Sequence, residues 1–223
     1  MSGVPSVDRD VPIERIELGD GAWADVARGW MADADVLYEH LLREVPWQTN
    51  RLYRYDHEVE ERRLGASWRS GTPLPHPALA EATRVLQHRY GVQFGGFGMI
   101  QYRDGTDGQG FHRDTDMRWL DDTVIAILSL GAQRAWTLRP RSARHTDAPG
   151  KGAVHDLAPA SGDLIVMGGS CQAGWEHSVP YLGAQSTVGP RISIQWRFAR
   201  RTGRPFQGAS YNAPLHYSRE RRH

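Results

Sequence analysis

Apolar and polar positions follow two regimes along the chain, and the change comes near Gly91. Before it the spacing is mostly helical. Asp20 can cap a helix on which Trp23, Val26, Trp30, Leu37 and Leu41 recur at helical intervals. A second helix is predicted from Pro77, a favourable first position, to Tyr90, with Leu79, Ala82, Leu86 and Tyr90 inward and Gly91 as its stop. Val11 to Leu18 alternates in part and predicts a short strand. Residues 45–75 carry many aromatics and arginines without a clear period and read as hairpin or loop.

After Gly91 short β-rich segments follow one another: Gly98 to Arg103, Val124 to Leu130, Ala135 to Leu138, Val154 to Leu157, Leu164 to Met167 and Arg191 to Phe198. Gly, Pro and Asp clusters separate them, as in a sandwich or jelly roll. The expected fold class is α+β, with N-terminal helices packed on one sheet of a β-barrel core. The chain of 223 residues is read as one domain. Within it, 1–93 form a helical and lid region, 94–199 the core and 200–223 a basic tail.

Composition changes this picture little. With 39% hydrophobic and 24% charged residues the balance is that of a globular protein. No apolar run approaches the roughly 20 residues that span a bilayer, and Met1 to Asp10 show no secretory pattern, so a cytoplasmic protein is expected. Cys171 is the single cysteine, which excludes an intrachain disulfide and any multi-cysteine zinc site. Charge is uneven beneath the net +1. Residues 1–60 hold 13 acids against 6 basic side chains, whereas 197–223 hold 7 Arg and one acid, Glu220. A basic end of this kind can bind phosphates or simply be solvated.

The chemical candidates are His112-Arg113-Asp114 and the later His177. Residues two apart on an extended segment project the same way, so His112 and Asp114 can grip one ion. Two imidazoles and a carboxylate on one face suit Fe(II), with the opposite face left open. The H-x-D pattern alone is weak, since chance supplies about one in a chain of this composition. A decoy exists at His145-Thr146-Asp147, among loop-like residues. What separates the two is Arg191-Ile-Ser-Ile-Gln-Trp-Arg197, a strand-like segment whose two arginines stand six apart and so share a face. Guanidinium groups directed into an apolar barrel need anionic partners, and a small dicarboxylate answers that need.

From Phe94 to Phe198 the chain resembles the AlkB family of 2-oxoglutarate dioxygenases. The likeness is carried by Tyr102-Arg-Asp-Gly105 with Gly110-Phe-His-Arg-Asp-Thr-Asp116, by Ile127-Leu-Ser-Leu-Gly131 with Arg134-Ala-Trp136, by Ser161 to Gly168, by Gln172 to Pro180, and by Arg191 to Arg197. The resemblance implies a double-stranded β-helix, or jelly-roll, core. It also implies a dioxygenase using Fe(II), 2-oxoglutarate and dioxygen, with His112, Asp114 and His177 as iron ligands. Tyr102, Arg191, Ser193 and Arg197 would hold the co-substrate, Arg191 pairing with its distal carboxylate. The expected reaction is oxidation of a substrate C–H with release of succinate and carbon dioxide, and an N-methyl group so oxidised leaves as formaldehyde. Three positions depart from the family: Ile100 stands where an Asn is usual, and Gln195-Trp196 where Thr-Phe is usual.

The family implies alkylated DNA or RNA as partner, single-stranded by preference, because a base must leave the stack to reach a buried metal. Asp116 matches a position that contacts the base in some relatives. Tyr53, Tyr55 and Trp68, interleaved with Arg51, Arg54, Arg62, Arg63 and Arg69, suit a substrate lid, with Tyr55 and Trp68 as candidate base contacts. Ordinary core packing accounts for these aromatics equally well, and Trp175 and Trp196 are read as barrel packing. Neither a membrane nor an obligate protein partner is expected. Two other readings remain: a dioxygenase of the same fold acting on a small molecule, lipid or protein, and a non-enzymatic, zinc-holding jelly roll used for binding.

Overall fold

The computed structural model describes residues 3–54, 57–141 and 154–208, with side chains for all of these except 50, 52–54 and 57–59. In chain order the strands are β1 (Ser6–Val7), β2 (Glu14–Gly19), β3 (Ala22–Ala27), β4 (Met31–Ala32), β5 (Gln48–Arg54), β6 (His57–Arg69), β7 (Gly96–Tyr102), β8 (Gln109–His112), β9 (Thr123–Gly131), β10 (Thr137–Pro140), β11 (His155–Asp156), β12 (Leu164–Gly169), β13 (Trp175–Val179) and β14 (Arg191–Ala199). The helices are α1 (Ala34–Glu44), α2 (Pro77–Tyr90) and the short α3 (Cys171–Gly174), with a 3-10 turn at Thr115–Met117.

An eight-stranded antiparallel sheet runs β2-β3-β12-β9-β14-β7-β6-β5, and a four-stranded sheet runs β11-β10-β13-β8. Alternation along the central strands divides the apolar residues into two cores. Val124, Ala126, Leu128 and Leu130 of β9, Leu164 and Val166 of β12, and Ile192, Ile194 and Trp196 of β14 pack on the side of α1 and α2. The opposite parity, Ile125, Ile127, Ile165 and Met167, meets Leu138, Trp175 and Val179 of the smaller sheet and Trp136 just before β10. Arg191, Ser193, Gln195 and Arg197 share that second parity, so β14 turns its polar residues toward the space between the sheets.

The helix predicted at Pro77 forms as expected. Its N-cap His76 accepts from the Ala78 N–H, and Gly91 closes it at φ 63°. The helix predicted from Asp20 does not. Gly19, Asp20 and Gly21 all take positive φ (87°, 51° and 77°), which turns the chain back as a hairpin between β2 and β3. Helix α1 begins only at Ala34, after Gly29 has broken the chain again at φ 69°. The region 1–93 is therefore not chiefly helical: β2, β3, β5 and β6 extend the same sheet as the core strands. No helix among the described residues is long and apolar enough to cross a membrane.

Candidate metal and co-substrate site

The smaller sheet brings two imidazoles together. His112 ends β8 and is the direct cross-strand partner of His177 on β13, with ring centroids 4.2 Å apart. After His112 the chain leaves the strand, and Asp114 enters the 3-10 turn, its backbone N–H held at 2.9 Å by Oε1 of the fully buried Gln172 on α3. The ligand atoms of His112, Asp114 and His177 all lie within 4.8 Å of one another.

Each group is oriented by a neighbour. Nδ1 of His112 lies 2.9 Å from the Gly110 carbonyl and donates to it, which leaves the Nε2 lone pair facing Asp114 Oδ1 at 3.6 Å. Asp114 Oδ2 accepts from Arg197 Nε at 2.6 Å. Trp136 stacks on His177 at 5.4 Å and 20°. Nδ1 of His177 is buried and has no hydrogen-bond partner among the described residues. Burial lowers the His177 pKa to about 3, with His112 adding to the effect and Asp114 opposing it. Burial also lowers His112, against the pull of Asp114. For Asp114, burial alone would raise the carboxyl. Arg197, His177 and His112 override it and hold the group below the usual carboxylate range. Two neutral imidazoles and one carboxylate anion are thus in the protonation states a divalent cation requires. The donor set fits Fe(II) on chemical grounds.

A buried guanidinium lies against Tyr102, with the Arg191 guanidinium carbon 5.9 Å from the ring centroid. Arg191 is fully buried and is the cross-strand partner of Tyr102. Its Nη2 donates to Ser129 Oγ at 2.8 Å, while Nε and Nη1 have no hydrogen-bond partner among the described residues. Burial pushes its pKa down to about 10, with Arg134 adding to the effect and Tyr102 opposing it. A charged group with two unused donors in this position calls for an anion.

A cavity of about 500 Å³ holds the triad, and Tyr102, Ser193 and Arg197 line it. Ile100, directly across from Ser193, lines it too, so an apolar side chain occupies the wall where the family usually has an amide. Asp116 and Met117 border it from the 3-10 turn, and Glu61 and Arg63 from β6. The last two form a 3.1 Å ion pair with both side chains about one-tenth exposed.

Not every candidate joins the cavity. Trp68 lies on the other face of β6, stacked on Phe97 at 5.5 Å in the helix-side core, which corrects its expected role as a base contact. Tyr55 and the decoy His145-Thr146-Asp147 lie outside the described residues. Trp196 packs in the helix-side core and Trp175 between the sheets, as expected of barrel packing. The sequence assigned no role to Gln172, Ser129 or Glu61, and placed Arg63 only among the arginines of the expected lid. Only Arg63 had a visible signal, as one of the arginines among the aromatics.

Comparison with known proteins agrees with this geometry. The family described as "2OG-Fe(II) oxygenase superfamily" matches residues 31–197. The human protein named "DNA oxidative demethylase ALKBH2" is 28% identical over 181 residues, covering 74% of this chain and 69% of the relative. The bovine "Alpha-ketoglutarate-dependent dioxygenase alkB homolog 3" is 27% identical over 180 residues, covering 75% of this chain and 62% of the relative. The chain thus spans less than two thirds of that second protein. Among solved structures, a prolyl hydroxylase from Trichoplax adhaerens aligns with TM-score 0.55 at 11% identity, covering 78% of this chain and 83% of that one. An oxidoreductase of the 2OG-Fe(II) oxygenase family from Burkholderia pseudomallei aligns with TM-score 0.51 at 16% identity, covering 81% and 87%. These structural likenesses concern the fold.

Proposed function

Because the chain belongs to the 2OG-Fe(II) oxygenase superfamily and, within it, to the AlkB family, we propose that it removes N-alkyl groups oxidatively from nucleobases in DNA or RNA. The observation that carries this reading is the joining, in one cavity, of the His112–Asp114–His177 set with a carboxylate at the rim, beside Arg191, whose Nε and Nη1 have no partner among the described residues. Bound Fe(II) would supply the oxidation of a C–H bond by dioxygen at the expense of 2-oxoglutarate. The chain's own residues do the rest. Arg191 and Tyr102 receive the far carboxylate of the co-substrate, and Ser193 flanks it. Arg197 bridges the co-substrate side of the cavity to Asp114, so one guanidinium fixes the carboxylate's orientation and its charge.

Asp116 stands at the rim of the cavity, exposed and next to Met117. A carboxylate there attracts the positive charge that methylation places on 1-methyladenine or 3-methylcytosine, and accepts from an exocyclic amine. A base enters such a cavity only when flipped from a duplex or presented by a single strand, and single strands cost less. Phosphates would be followed by surface arginines, among them Arg200, Arg201 and Arg204, so binding weakens as salt rises.

The test is formaldehyde release after anaerobic iron loading, with methylated single-stranded DNA, methylated RNA and no added substrate. Release from at least one strand, falling with salt, is expected. Asp116→Asn keeps an acceptor but removes the anion, and should slow cationic lesions more than neutral 1-methylguanine. Turnover of 2-oxoglutarate with neither strand binding nor formaldehyde would retire the nucleobase reading and leave the oxygenase assignment standing.

A further inference from the structure

The loop that carries Asp116 is clamped by a segment outside the family's matched stretch. That stretch ends at Arg197, and residues 200–208 run on from β14 over the connection between β8 and β9. The Arg200 N–H donates to the Asp122 carbonyl at 2.9 Å, and its Nε to the Asp122 carboxylate at 2.7 Å. Farther along, the Phe206 N–H donates to the Arg118 carbonyl at 2.6 Å. Arg118 Nη1 donates back to the carbonyls of Phe206 at 3.3 Å and Gly208 at 3.0 Å. The Phe206 ring lies 5.2 Å from the guanidinium carbon of Arg113, which also donates to the carbonyls of Gln172 and Ala173 on α3.

Arg118 itself is strained. It sits at φ 67°, ψ −45°, and the N–H of Trp119 reaches the Met117 carbonyl at 2.8 Å. That is a γ-turn with a positive central φ, the rarer hand, disfavoured for any residue with a Cβ. Such a conformation persists where its surroundings over-determine it, and it clusters at binding sites. Here the surroundings are the three hydrogen bonds to Phe206 and Gly208. The residues on its N-terminal side, Asp116 and Met117, are those that border the cavity.

We propose that residues 200–208 form a strap that sets the substrate-recognition loop, with Arg118 and Phe206 as positioning residues acting through Asp116 and Met117. The strap leaves the co-substrate side untouched, because Arg191, Ser193 and Tyr102 belong to β14 and β7 and make no bond to it among the described residues. The identity of what Asp116 meets rests on the nucleobase reading above. The holding of the loop does not.

The experiment compares the full chain with Phe206→Ala, Arg118→Ala and Phe206→Tyr. Hydrogen exchange is followed over residues 113–120, and steady-state constants are measured for 2-oxoglutarate and for a single strand carrying 1-methyladenine. Both alanine variants should exchange the loop amides about tenfold faster. They should raise the strand KM about fivefold or more, with kcat and the 2-oxoglutarate KM within about twofold of the parent. Phe206→Tyr keeps the ring beneath Arg113 and should restore both readouts. Unchanged loop exchange overturns the proposal. So does faster exchange with an unchanged strand KM, or a parallel rise in the 2-oxoglutarate KM. Should Arg118→Ala not fold, Arg118→Lys, which keeps a donor but not the fork, must show the same split in milder form. A parent that releases no formaldehyde from any strand sinks the nucleobase reading, and loop exchange then decides the strap.

Discussion

Replacing Arg191 by Met should strengthen the empty protein and disable it at once. Among the described residues the fully buried guanidinium makes one hydrogen bond, to Ser129, and its Nε and Nη1 have no partner. Burial holds its pKa near 10, and a depression of that size corresponds to about 3 kcal/mol of destabilisation. The group is a base whose folded pKa lies below its unfolded one. The penalty is therefore in full force at neutral pH and fades only as pH rises through about 10 toward the unfolded value. Methionine fills a similar volume without charge, and loses the bond to Ser129, worth about 1 kcal/mol. About 2 kcal/mol should remain as a gain, or about 4–8 °C in melting temperature for a domain of this size. With co-substrate the sign reverses. Loss of a buried charged pair costs about 3–5 kcal/mol, equivalent to a rise of about 10²- to 4 × 10³-fold in the apparent 2-oxoglutarate constant. The assay is thermal unfolding of the Mn(II)-loaded proteins across a 2-oxoglutarate titration. The parent should climb with co-substrate, whereas Arg191→Met should start higher and stay flat. Titrations that overlay would remove Arg191 as the anchor. A variant that melts several degrees below the empty parent would show that its charge is satisfied in some other way.

Further outcomes are expected at the metal set and behind it. His112→Ala, Asp114→Ala and His177→Ala should each lose iron on desalting and form no succinate, with unfolding transitions that remain cooperative; near-normal activity in any one removes that residue from the set. Asp147→Ala, in the decoy pattern, should leave turnover unchanged. Gln172→Leu strands the Asp114 N–H, costing about 1–3 kcal/mol, and should lower iron affinity about 10- to 100-fold in a chelator competition; unchanged affinity would mean that the turn carrying Asp114 holds itself.

Much of the site was legible because strand parity is a strong constraint. Arg191 and Arg197 share one face whatever the sheet, and the apolar residues between them required the other face to be core. The same rule hid Trp68. A stretch with no period does not reveal which parity points inward, and one residue of register reverses the answer. The missed hairpin has a different cause. Trp23, Val26 and Trp30 happen to fit a helical stripe, while the Ala22-Ala24-Val26 alternation is quiet because alanine marks neither face. The signal that mattered was Gly19-Asp20-Gly21, three residues taking left-handed backbone together. Gln172 and Ser129 were invisible for a plainer reason. Their roles are hydrogen bonds to residues 58 and 62 positions away, and nothing local distinguishes a buried amide or hydroxyl that will meet such a partner. Strand β13 was anticipated only as the return of a third ligand, and β8 only as an extended run bearing His112.

The proposed activity couples co-substrate oxidation to removal of an N-alkyl group from a nucleobase. Its most direct test is to quantify succinate and formaldehyde together, in one reaction of the iron-loaded protein with a single strand containing 1-methyladenine or 3-methylcytosine. The two products should form in equal amounts, and both should be absent with Asp114→Ala. Succinate formed at the same rate with and without the strand, and no formaldehyde, would contradict it.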